Sequence, residues 1–159
     1  MISSIKRRVF GAVVTIAVLS AVGAAAAVDT DAIVKDRQAT MKQQGKSMGG
    51  VKAFLDGKGD QASAKAAATT LTQTTQKIPD LFPPGTGKPS PDGDFAPKAA
   101  IWTDWDKFLG AQKAAAAKAD VLLAAITAGD KAAIQAAFAD LGKNGCGACH
   151  TTFREKLKN

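Results

Sequence analysis

The chain has 159 residues, 46% of them hydrophobic, with 21 basic and 14 acidic side chains and a formal net charge of +7. Two cysteines and a single histidine exclude a four-ligand Cys/His zinc site and any pair of catalytic histidines. The length suits one domain with a real core and hardly two, and no cluster of arginines with interleaved aromatics suggests a nucleic-acid surface.

At the N-terminus Lys6, Arg7 and Arg8 precede an apolar run from Val9 to Val22, then small residues from Gly23 to Ala27. This is the pattern of a secretory signal peptide over residues 1–27, with Ala25 and Ala27 in the A-x-A positions of the cleavage site. A permanent anchor is the competing reading, but the run is short for a span of about 20 residues. Cleavage leaves residues 28–159 as one exported domain with 18 basic and 14 acidic side chains, so much of the basic balance belongs to the leader. The remaining +4 is read as lysines scattered over solvated helix faces, a charge that can also steer docking to acidic redox partners.

From Asp29 to about Leu55 the pattern is helical, with Ile33, Arg37, Met41, Met48 and Leu55 on one broad face. The Gly57-Lys58-Gly59 break ends it. Asp60 then caps an Ala- and Thr-rich second helix that runs to about Ile78, where Pro79 stops it. Pro79 to Pro97 is the one long loop and holds all six prolines, with Leu81, Phe82 and Phe95 expected to anchor it on the core. Phe95-Ala96-Pro97 is expected to open the third helix. From there Ile101, Trp105, Phe108, Gln112, Ala115, Ala119, Leu122 and Ile126 keep helical spacing as far as Gly129. Asp130 caps a fourth helix with Ile134, Phe138 and Leu141 inward. Gly142, Asn144 and Gly145 weaken this helix, which is expected to stay continuous all the same. Four amphipathic helices without strand-period runs imply an all-α four-helix bundle, a fold that builds cofactor sites from inward side chains at one end.

The fourth helix leads into Cys146-Gly147-Ala148-Cys149-His150, the C-x-x-C-H spacing of covalent haem c attachment. On a helix the three residues fall at i, i+3 and i+4 and project from one face. Two thiols can form thioethers to the porphyrin vinyl groups while the imidazole binds the iron. A thiol-redox or metal-carrying motif and a structural disulfide are the alternatives, although no βαβ pattern accompanies the first and three ligands are too few for zinc.

The residues resemble the class II cytochromes c, which comprise cytochrome c′ and its low-spin c-556-type relatives. The likeness rests on Cys146-x-x-Cys149-His150-x-x-x-Arg154 near the chain end and on Met41-Lys42-x-x-Gly45 in the first helix. Leu81-Phe82-Pro83 and Pro97-Lys98-x-x-Ile101-Trp102 add to it. The resemblance implies that Cys146 and Cys149 carry one haem c, that His150 is the proximal iron ligand, and that Met41 lies over the distal face. In the low-spin branch a methionine at that place ligates iron; in cytochrome c′ the site is usually open. A His/Met pair raises the reduction potential and suits an electron carrier, whereas core packing is the ordinary role of an inward methionine. Met48 is the reserve ligand. Arg37 and Arg154 are expected to contact haem propionates, and Trp102 to pack against the haem with Trp105; Lys42 and Lys46 are read as solvent-facing.

The sequence is therefore read as a periplasmic single-electron carrier, not an enzyme, with unidentified redox partners and a monomeric or homodimeric state. A five-coordinate cytochrome c′ that binds NO or CO is the first alternative, and a haem-free thiol-redox or metal-carrying protein the second.

Overall fold

A computed structural model of the chain describes residues 29–89 and 93–157; the expected leader and its cleavage site lie outside them. Helix α1 spans Thr30–Leu55 and α2 spans Gln61–Gln76. A 3₁₀ turn over Ile78–Leu81 follows. Strand β1 (Phe95–Pro97) comes next, then α3 (Ala100–Thr103), α4 (Trp105–Ala128) and α5 (Lys131–Asp140). The backbone continues through a π-helical stretch over Leu141–Gly147 into α6 (Ala148–Phe153) and ends in β2 (Arg154–Lys156). The architecture is the expected bundle, with a small strand pair added at one end.

The helix starts follow the sequence closely. Asp29 accepts from the Ala32 amide at 3.0 Å, Asp60 from Ser63 at 2.7 Å, and Asp130 from Ala132 and Ala133 at 3.0 and 3.1 Å. Each satisfies backbone donors that the first turn leaves without a partner. Gly129 closes α4 in the left-handed conformation, φ +77°, which costs glycine nothing.

The core has two parts. One, at the centre of the bundle, joins Val51 of α1, Ala64, Ala68 and Leu71 of α2, Ala119, Leu122 and Ile126 of α4, and Ile134 and Leu141 beyond. Small residues let α1 and α2 approach closely: a Cβ on Gly50 would lie 3.3 Å from that of Ala67. The second part gathers Ile78, Phe82, Ile101, Phe108 and Phe153 at the other end. There the rings meet edge to face, Phe108 at 5.1 Å from Phe82 and 5.3 Å from Phe153.

Four expectations need correction. The inner face of α1 is centred on Val34, Arg37, Ser47 and Val51, about one position round from the face expected through Ile33 and Leu55. Phe95-Ala96-Pro97 does not open a helix; it pairs antiparallel with β2, Phe95 opposite Lys156 and Pro97 opposite Arg154. The cause is local, since a residue before proline is pushed out of the α region and Ala96 precedes Pro97. The helix that follows is interrupted at Asp104, whose φ of −135° and ψ of 57° are not helical and divide α3 from α4. Finally, Phe95 is not a core anchor but is 40% exposed. Among the described residues no helix is long and apolar enough to cross a membrane.

Candidate cofactor site

The aromatic end of the bundle holds a cavity of about 430 Å³. Cys146, Cys149 and His150 reach it from the π-helical stretch and α6, Met41 and Arg37 from α1, and Arg154 from β2. Six of the seven site residues read from the sequence therefore face one space, from four separate elements.

The C-x-x-C-H helix is held in place from both sides. Gly145 lies against α4, where an added Cβ would meet the Ala115 Cα at 3.5 Å and the Leu141 Cδ1 at 3.0 Å. Immediately after α6 the chain enters the strand pair, whose flanking bonds run from the Lys98 amide to the Phe153 carbonyl (2.9 Å) and from the Leu157 amide to the Asp94 carbonyl (2.7 Å). The Arg154 guanidinium stacks on the Phe95 ring, 4.0 Å from its centroid, which explains how an exposed phenylalanine is used.

Burial keeps the reactive groups neutral. It pushes both cysteine thiols above their ordinary value, the neighbouring Cys146 adding to the effect at Cys149. It holds His150 below its ordinary value, with the Arg154 charge acting in the same direction. A neutral imidazole keeps the free lone pair that a metal ligand needs.

Two predicted residues have different surroundings from those expected. Arg37 is buried, and its guanidinium is a clamp on the loop. Nε and Nη2 donate to the Leu81 carbonyl at 3.0 and 2.8 Å. Nη1 and Nη2 each donate to the Thr86 carbonyl at 3.1 Å, and Nη2 also to Thr86 Oγ1 at 2.9 Å. It lies 4.1 Å over the Phe82 ring, and desolvation lowers its pKa to about 10, which leaves it cationic at neutral pH. Trp102 does not line the cavity. Its indole N–H donates to the Phe82 and Pro83 carbonyls at 3.0 and 3.1 Å, one layer behind Phe82. Arg37 and Trp102 thus secure the same loop from opposite sides.

Residues that sequence reasoning passed over also line the space. Gln112, read only as part of a helix face, donates from Nε2 to the Thr75 carbonyl at 2.9 Å. Gln44, one turn after Met41, was not singled out at all, although i, i+3 spacing places the two side by side. The charged side chains lining the cavity are Arg37, Lys42, Lys88 and Arg154, and no carboxylate is among its described lining residues.

A helical bundle whose C-x-x-C-H helix faces an apolar end cavity defines a class, the helical c-type cytochromes. The chain matches the family model described as cytochrome C′ over residues 32–154. A cytochrome c-556 of Agrobacterium tumefaciens (strain II Chrys) is 40% identical over 125 residues, 77% of this chain and 97% of that protein. A cytochrome c′ of Rhodopseudomonas palustris is 34% identical over 148 residues, 91% and 96% of the two chains. A cytochrome c prime point mutant from Alcaligenes xylosoxidans, solved as its nitric oxide complex, superposes with a TM-score of 0.69 at 31% identity, covering 80% of this chain and 97% of that one. The chain belongs to the cytochrome c′ family, which includes the c-556 proteins.

Proteins of this family carry a covalently bound haem c, and the residues present fit such a group. The volume lies in the range of cofactor pockets, roughly 300–1,000 Å³. Four cations without a carboxylate suit a ligand bearing two propionates. The interior supplies two thiols and an imidazole, the groups that haem c attachment and a proximal iron ligand require, with the Met41 thioether in the same space.

Proposed function

We propose that this family member is an exported, periplasmic electron carrier, whose haem would be held by Cys146 and Cys149 with His150 and Met41 as its iron ligands. The observation that carries the reading is that Met41 of α1 lines the same cavity as His150, as a soft ligand opposite the imidazole must. Cys146 and Cys149 would hold the group as thioethers, each adding its S–H across a vinyl group, which needs no oxidant. Once bound, the group supplies one-electron iron chemistry, and a His/Met ligand pair favours the ferrous state.

The chain's own residues do the rest. Met41 on α1 and His150 on α6 would both be iron ligands, so that little would have to move as the iron changed charge. Phe82, Phe108, Ile101 and Phe153 keep water from the interior, and a drier site makes nearby charges count for more. Lys42, Lys88 and Arg154 neutralise the propionates, and Arg37 holds the loop that closes one side. We read the protein as a carrier.

The test is an absorption spectrum of the matured protein, oxidised and reduced, beside Met41→Ala. We expect a sharp low-spin reduced spectrum and a far-red iron–sulfur band in the oxidised form that Met41→Ala abolishes. A broad high-spin spectrum, unchanged by the substitution, would sink Met41 as ligand. The function would then be that of the second reading, a five-coordinate NO- or CO-binding cytochrome c′, which the nitric oxide complex of the Alcaligenes xylosoxidans relative supports.

A further inference from the structure

Phe95 and Val121 are the two large hydrophobic side chains exposed among the described residues, and of these only Phe95 lines the cavity. Its place follows from the strand pair. Pro97 faces Arg154 and Phe95 faces Lys156. Phe95 and Arg154 are therefore diagonal neighbours on one face, within reach of an aromatic and a long side chain. The contact is made, with the Arg154 guanidinium carbon 4.0 Å from the ring centroid. Arg154 is exposed, and its strand fixes the backbone while the long side chain remains free to turn toward water. Among the described residues the ion pairs do not include Arg154. The ring is the partner that the structure shows for its guanidinium.

We propose that Phe95 is a positioning residue: by stacking on Arg154 it keeps that cation at the cavity wall near His150, and so raises the reduction potential of the bound iron. The proposal rests on the haem reading above. Arg154 follows His150 by four residues, and both line the cavity. Its charge is felt there, since burial first and the Arg154 charge second hold the imidazole below its ordinary value. A nearby cation opposes the oxidised iron more than the reduced one, because the oxidised form carries one more positive charge. Charges out in water are largely screened beyond about 10 Å at 0.1 M salt, so an Arg154 that swings away loses this influence. The Phe95 ring carries no charge of its own. Its effect on the iron passes through Arg154.

The experiment is a redox titration of the matured, haem-loaded protein beside Phe95→Leu, Phe95→Tyr, Arg154→Gln and the Phe95→Leu/Arg154→Gln double variant. Phe95→Leu keeps an apolar side chain and removes the ring face. We expect it to shift the ratio of reduced to oxidised protein, at a fixed applied potential, two- to fivefold toward oxidised, about 0.4–1 kcal/mol. Phe95→Tyr retains the ring face and should titrate as the native protein does. In the Arg154→Gln background Phe95→Leu should have no further effect, which is the coupling that a double-mutant cycle isolates. An unchanged titration in Phe95→Leu overturns the proposal. So does an equal shift with and without Arg154, which would mean that the ring acts by packing or by excluding water. Absence of bound haem in the unsubstituted protein defeats the haem reading and this inference together. Normal haem loading with either overturning result defeats this inference alone.

Discussion

Removing the Arg37 guanidinium would strand the carbonyls of Leu81 and Thr86, which it holds across 44 and 49 residues of sequence. Buried acceptors left without donors are expensive, and bonds from a charged donor are among the stronger ones. Arg37→Ala should therefore lower stability by about 2–4 kcal/mol, read as a reduced urea midpoint. Arg37→Lys should recover only part of it, since an ammonium cannot supply the fork that serves both carbonyls. Full stability in Arg37→Ala would mean that the loop is held by Trp102 and Phe82 alone. At the same scale, the raised thiols and lowered imidazole show a site kept neutral by burial until a cofactor fills it.

At the scale of elements, the stretch over Leu141–Gly147 carries the site. Its glycines are not equivalent. A Cβ on Gly145 would crowd Leu141 Cδ1 at 3.0 Å, whereas one on Gly142 would meet only the mobile end of Met48, Cε at 3.6 Å. Gly145→Ala should cost about 1–3 kcal/mol through overpacking against Leu141, one turn earlier. Gly142→Ala should be neutral or stabilise by up to about 1 kcal/mol, as alanine does in a helix interior. Thermal unfolding of the two variants decides this, and equal losses would show that the π-helical backbone itself, and not the contact with Leu141, requires glycine.

At the scale of the molecule, the divided core predicts a divided response to losing the cofactor. None of the buried residues in the cluster around Leu122 and Ile134 lines the cavity, although Cys146 packs against that cluster, while Phe82, Ile101, Phe108 and Phe153 border the cavity directly. A bound group stabilises the fold that binds it, and its removal leaves only the second cluster without packing partners. In a doubly substituted Cys146→Ser/Cys149→Ser protein, we expect amide-exchange protection to fall over residues 78–108 and 141–157. Residues 61–76 and 115–134 should keep theirs. A uniform loss would mean that the two clusters unfold as one unit.

The sequence by itself determined most of the helical path, the Asp60 and Asp130 caps, the Gly129 stop and the class of cofactor. Each of these depends on residues close together along the chain: a carboxylate three positions before an amide, a 3–4 spacing, two thiols and an imidazole within five residues. Even Ala96-Pro97 held its answer locally, in the steric restriction proline places on its predecessor. Only the tertiary structure decided which partners those residues meet. Arg37 could be placed on the inner face of α1, but that its donors go to a loop some 44–49 residues away depends on chain path and not on periodicity. The Arg154–Phe95 stack and the diversion of Trp102 to the loop have the same origin. They are long-range contacts, selected by close packing at one end of the bundle, and no local pattern in the chain encodes them.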